Sequence, residues 1–224
     1  MTKTAVLVDG AFYRKRAKFL RGERPPAQRA NELYAYCMGH IRDERTDPAF
    51  HEDRELYRIF YYDCLPLKKT VYHPFLKRGI DFGRSETYHW SEDFFNELKK
   101  KRKVAVRMGE LSDANAHFEL DAEKLKLLLS GSISMDDLRE EDFRISFEQK
   151  GVDMRIGIDI ASLTYKKQVS QIILIAGDSD FVPAAKMARR EGIDFILDPM
   201  EATIKNSLFE HIDGLETIWR RPKS

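Results

Sequence analysis

The stretch ILIAGDSDFVPAAKMARREG, residues 173–192, passes from an unbroken apolar run through a turn carrying two carboxylates into a helix of small residues. A short run that is apolar at every position fits a strand covered on both faces, as in a parallel sheet. In the segment that follows, Phe181, Ala184, Ala185 and Ala188 fall on one helical face, and Gly192 supplies the stop. A strand, a turn and a helix in that order set the fold class as α/β, a three-layer arrangement with a central, mostly parallel sheet flanked by helices. The turn raises a question, because Asp178 and Asp180 put two like charges side by side at the mouth of a buried strand. One helix cap accounts for only one of them.

The same grammar recurs along the chain. Ala5 to Val8 form an apolar run ending in Asp9-Gly10, followed by the helix-like AFYRKRAKFL. From Pro26, the residues Ala27, Ala30, Tyr34, Cys37, Met38 and Ile41 recur at helical spacing and predict an amphipathic helix that ends near RDERTDP, residues 42–48. ELYRIFYYDCLP and KVAVRMGEL predict two further strands on either side of the helical SEDFFNELKKKRK. Residues 112–143 are densely charged, with a helical patch at DAEKLKLLL, and are expected to form a peripheral insertion in a single domain spanning 1–224. KGVDMRIGIDIASLTY predicts a helix apolar around most of its circumference and therefore buried. DFILDP predicts a strand, SLFEHIDGLETIW a last helix and strand, and RRPKS a frayed end.

Bulk properties narrow the function classes. Lysine and arginine number 38 against 37 acids, a net charge of +1, so any basic surface must be local. The basic runs YRKRAK and KKKRK are, taken alone, solvated faces. Cys37 and Cys64 lie outside zinc-ligand or CxxC spacing and fit free buried thiols in a reducing interior. Apolar runs are strand-sized and the first residues lack the pattern of a signal peptide, so the expectation is a soluble cytoplasmic protein without a membrane partner. Six histidines occur with no HExxH, and no GxxxxGK[ST] or GxGxxG follows a strand. A phosphatase pairing two aspartates around Asp9 is excluded by Ala11, and a DxSxS metal-adhesion site by Asp180 and Val182, which stand where it needs serines.

What remains is the set of carboxylates. In an open parallel sheet, ligands bind beyond the carboxyl ends of strands where strand order reverses. Asp9 and Asp178 each follow an apolar strand, so if those strands are neighbours the two acids meet, with Asp180 two residues on and Asp153 at the start of the buried helix. Four acids in one small volume repel one another, and a hard divalent cation, magnesium or manganese, relieves that cost. At 100° per residue, Asp159 falls with Val152, Ile156 and Leu163, away from Asp153, and is expected to support the site by accepting backbone or side-chain donors. Arg14, Lys15 and Arg16 leave directly from Asp9 and could meet a phosphate backbone, with Tyr13 or Phe12 as a stacking surface; Lys150 and Ser179 are further candidate substrate contacts.

The segments VLVDGAF, KGVDMRIGIDIASL and LIAGDSDFVPAAKMARREG, in this order and followed by a strand and FEHIDGLETI, resemble the NYN domain, in particular its LabA-like branch, a relative of PIN nucleases. The resemblance implies a PIN-like fold and a metal-dependent ribonuclease site whose catalytic and metal-binding acids match Asp9, Asp153, Asp178 and Asp180. Its substrate would be RNA, expected to be single-stranded, and a homo-oligomer is compatible with the sequence. The sequence departs from the family pattern at Phe12, where many members carry an asparagine. A non-catalytic module acting in RNA binding or protein interaction is therefore the competing expectation.

Overall fold

The computed structural model describes residues 1–42 and 53–219. RDERTDP beyond its first residue and all of RRPKS lie outside the described residues. In chain order the elements are β1 (Thr2–Asp9), α1 (Gly10–Arg21), α2 (Pro26–Ile41), β2 (Arg54–Asp63), β3 (Thr70–His73), β4 (Arg78–Asp81), α3 (Glu86–Lys99) and β5 (Val104–Met108). They continue with β6 (Glu110–Leu120), α4 (Ala122–Leu129), β7 (Phe143–Lys150), α5 (Val152–Tyr165), β8 (Gln171–Ile175), α6 (Val182–Arg190), β9 (Asp194–Asp198), α7 (Asn206–Phe209) and β10 (Gly214–Leu215). No helix among the described residues is long and apolar enough to cross a membrane.

The chain divides into two compact units. The first comprises Met1–Asp63, Glu92–Gly109 and the chain from Gly151 onward. It holds a six-stranded sheet in the order β10-β9-β8-β1-β2-β5, parallel at every pairing. The architecture is therefore α/β with a central parallel sheet flanked by helices, as the apolar strand runs predict. Ala5, Leu7, Phe60 and Tyr62 pack with Ile156 and Ile160 of α5 and Phe181, Ala185 and Ala188 of α6. On the opposite face, Tyr61 meets the ring of Phe94 edge-on at 5.6 Å between centroids.

Two helices differ from expectation. The buried stripe of α2 is Arg29, Ala30, Leu33, Tyr36, Cys37 and His40, so of the predicted face Ala27 is exposed and Tyr34, Met38 and Ile41 are only half-buried. Helix α5 is not buried around its circumference: Ile156, Ile160 and Leu163 face the core, while Met154, Ile158 and Tyr165 are exposed. A sheet covers one side of a helix, so an apolar composition does not by itself enclose it.

The second unit comprises Cys64–Ser91 and Glu110–Lys150. The expected insertion at 112–143 falls within it, but the unit is wider and is built on strands that the charged sequence concealed. β3 pairs antiparallel with β4, and β6 with β7, the latter ladder shifting register between Ser112 and His117. Its small core is aromatic, with His73 against Phe118 at 4.1 Å and Phe143 at 5.4 Å between ring centroids. Helix α4 contributes no buried residue.

A buried polar network locks the far strand of the first unit. Asp198, fully buried at the end of β9, accepts from His40 Nε2 at 2.7 Å, Thr217 Oγ1 at 3.0 Å, the Met200 amide at 2.7 Å and the Tyr36 hydroxyl. Glu216 accepts both terminal nitrogens of Arg54, at 2.9 and 2.8 Å, and lies 3.7 Å from His40 Nδ1. Burial opposes a charge on His40, but Asp198 and Glu216 outweigh it and raise the imidazole above its ordinary value. Burial likewise works to raise Glu216, yet His40 and Arg54 hold its carboxyl at about 2. A raised histidine contributes stability that is complete below 6.5 and lost as pH rises through its folded value. A depressed carboxyl contributes above 4.5 and loses that contribution as pH falls toward about 2. Stability should therefore decline on the alkaline side, and His40→Gln should flatten that limb while lowering the melting temperature at mildly acidic pH. Thermal melts across pH test this; an unchanged alkaline limb in the variant would contradict it.

Candidate functional site

The sheet places the switch in strand order at its centre. From β1 the chain builds outward to β2 and β5, then crosses to β8 and proceeds through β9 to β10 on the other side. β1 and β8 are neighbours in parallel register, with Val8 opposite Ile175. Asp9 ends β1, and Asp178 follows β8 by three residues, so both leave the same carboxyl edge on either side of the reversal point.

Each carboxylate is also used locally. Asp9 caps α1, accepting from the Phe12 amide at 3.1 Å. Asp178 caps the 3₁₀ turn Ser179–Phe181, accepting from the Asp180 amide at 3.1 Å. Asp153 stands in the first turn of α5. Burial, chiefly, pushes the Asp9 carboxyl up to about 6, and the charges of Asp153 and Asp63 add to the rise against the capping bond from Phe12. Asp153 is raised too, by burial and then by Asp178 and Asp180. The four predicted acids thus feel one another as a chain of like charges from Asp9 through Asp153 to the Asp178–Asp180 turn.

They do not form a ligand cage in this conformation. Among the described residues, no three histidine, cysteine, aspartate or glutamate side chains are grouped so as to hold a metal ion. The chemistry of the donors nevertheless suits a hard cation: they are carboxylates only, and the charge that raises Asp9 and Asp153 is of one sign.

Asp63 is a fifth acid that sequence reasoning missed. It ends β2, beside β1, where Asp9 pairs with Tyr62. Its buried carboxylate accepts from Arg14 at 2.9 Å and from the Tyr61 hydroxyl at 2.8 Å. The signal was present, since FYYD repeats the pattern of LVDG, an apolar strand ending in aspartate. Gly10 makes the arrangement feasible, because a Cβ there would lie 2.6 Å from Asp63 Oδ2 and from the Tyr61 hydroxyl.

The predicted substrate contacts separate. Lys15 is exposed, whereas Arg14 is engaged with Asp63, and Arg16 donates to the Met200 carbonyl at 3.0 and 2.7 Å. Tyr13 is fully buried against the rings of Tyr36 and Trp219, which removes it as a stacking surface for a base. The Phe12 ring packs over Gly177, where a Cβ would approach it to 2.6 Å, so the phenylalanine fills the space above the end of β8. Ser179 Oγ lies 3.2 Å from Lys205 Nζ, a cation that sequence reasoning did not connect to the turn. The side chain of Lys150 lies outside the described residues. Asp159 accepts from the Tyr62 hydroxyl at 2.8 Å and Arg107 Nε at 3.1 Å, tying α5 to β2 and β5.

The NYN domain model matches residues 86–212, more than half of the chain, and the protein belongs to the NYN domain family. The family carries a nuclease-like, RNA-related character. The match includes Asp153, Asp178 and Asp180, while Asp9 and Asp63 precede it. A search of curated proteins gives no match. A solved structure of a protein of unknown function from Vibrio parahaemolyticus is similar at 11% identity with a TM-score of 0.46, over 96% of this chain and 91% of that one.

Because the folded value of Asp9 is raised from 3.8 to about 6, its contribution to stability is present below 3.8 and lost as pH rises through about 6. Asparagine caps as well as aspartate. Asp9→Asn should therefore stabilise the metal-free protein above about pH 6, by on the order of 1–3 kcal/mol, and change little near the unfolded value. Denaturant melts at the two pH values check this; equal stability of both proteins at high pH would remove the repulsion from the account.

Proposed function

We propose that this NYN domain, of the LabA-like branch, is a metal-dependent endoribonuclease that hydrolyses phosphodiester bonds of single-stranded RNA at Asp9, Asp153, Asp178 and Asp180. The observation that carries the reading is that Asp9 and Asp178 leave the same carboxyl edge at the reversal point of a parallel sheet, where burial and neighbouring acids raise Asp9 and Asp153. Such a set is costly unless a cation neutralises it. Magnesium or manganese, when bound, would supply charge neutralisation for a phosphodiester and make water an effective nucleophile near neutral pH. Asp9 and Asp178 are suited to hold the ion because each is oriented by its own capping bond, Asp9 at the end of β1 and Asp178 in the turn after β8. Asp153 closes the group from the first turn of α5. Asp63 keeps Arg14 beside Asp9, and Asp159 braces α5 against the sheet. Lys15 and the Ser179–Lys205 pair offer polar groups to the phosphate backbone.

A second reading has its own support. Phe12 occupies the place above Gly177 where many family members carry asparagine, and the acids are not grouped as a cage. A module of this kind would bind RNA without cutting it. Asp178→Asn decides between them. For a nuclease, it should lower cleavage of labelled RNA by about a hundredfold or more, leave the metal-free fold at least as stable, and reduce the thermal shift given by manganese. If Asp178 only caps its turn, asparagine replaces it and both cleavage and the manganese shift survive. Absence of cleavage by wild-type protein with either metal would favour the binding module.

A further inference from the structure

The second unit carries a basic, aromatic hairpin that the carboxylate site does not use. Between Leu65 and Gly83 the chain has Lys68, Lys69, Lys77 and Arg78 against one acid, Asp81, in a protein that is otherwise balanced in charge. Asp81 is itself paired with Arg84 at 3.2 Å. Alternation along β3 sends Val71 and His73 inward and leaves Thr70 and Tyr72 outward. Tyr72 is 61% exposed, and its partner across the ladder is Gly79, so no side chain lies opposite its ring. Phe75, in the loop between the strands, is stacked on Phe143 at 5.5 Å and 28°, and is 38% exposed. One ring is therefore open and the other braced from behind.

The loop contains a second anomaly. Lys77 adopts φ 52°, the left-handed region in which glycine or asparagine costs less. A lysine at such a position holds a cation, exposed, at the tip of the hairpin, with Arg78 beside it.

From this geometry we propose that the β3–β4 hairpin is a binding site for single-stranded RNA, sharing no residue with the four-aspartate site. Tyr72 and Phe75 stack bases, and Lys68, Lys77 and Arg78 meet the phosphates. Two rings flanked by cations suit the bases and phosphates of a single strand, whereas two rings on a short hairpin bury too little apolar surface to anchor a lipid bilayer. The assignment rests on the reading of RNA as substrate, but not on cleavage.

Binding of a fluorescent oligouridine to the full chain, measured by anisotropy in chelator, tests it. Tyr72→Ala should weaken binding about tenfold or more. Lys77→Asn suits the left-handed backbone, so the fold is retained, and it should lower the slope of log affinity against log salt by about 0.7. Melting curves of both variants establish that they are folded. Tyr72→Ala and Lys77→Asn should keep the wild-type thermal shift with manganese, which separates the two sites. Wild-type affinity and salt slope in both hairpin variants would overturn the proposal, as would no RNA binding by wild type, or, in a parallel assay with anionic lipid vesicles, hairpin variants that lose vesicle binding while binding RNA as wild type does. If the hairpin variants bind weakly while wild type never cleaves, the nuclease reading fails and this site stands. If wild type cleaves and the hairpin variants bind RNA as it does, only this site fails.

Discussion

The parallel register of β1 against β8 governs this molecule. Val8 lies opposite Ile175, so the chain leaves both strands at the same level and on the same edge. Every residue from Thr4 to Val8 and from Gln171 to Ile175 is buried, and a slip along either strand would open the ladder and displace apolar side chains from both faces. Asp9 and Asp178 are thus held at one edge of the sheet by the packing of residues that have no chemistry of their own. The Asp9 carboxyl is raised because the core buries it at that edge.

The same edge shows how a sheet distributes carboxylates. Asp63, Asp9 and Asp198 end three of its strands, and their fates differ with their neighbours. Asp198 is enclosed and satisfied by four donors, and so serves to fasten α2 and the C-terminal segment to β9. Asp63 is buried with Arg14 and Tyr61. Asp9 has its capping bond but is raised by burial and by the like charges of Asp153 and Asp63. A carboxylate with surplus repulsion is the one with something to gain from a cation; one with a full set of donors is not.

Capping and ligation need not compete. A cap engages one oxygen of a carboxylate and fixes its orientation, leaving the second oxygen available. Asp9 and Asp178 are both capped through Oδ1. The rigidity that a cap gives is useful to a site whose ligands must be held in place.

The sequence by itself determined the α/β class, the strand-turn-helix units and the aspartates at strand ends, because strand-sized apolar runs and helical periodicity are local properties of the chain. ILIAGDSDF and VLVDGAF could be read without knowing what surrounds them. Only the tertiary structure decided which strands are neighbours, that Asp63 joins Asp9, that Tyr13 is sealed beneath Trp219, and that α5 leaves Met154 and Ile158 in solvent. It also disclosed the strands of the second unit, whose charged segments hid their alternation. Each of these depends on contacts between residues far apart in the chain. Periodicity reports which side of an element is apolar, but only packing decides what, if anything, covers it.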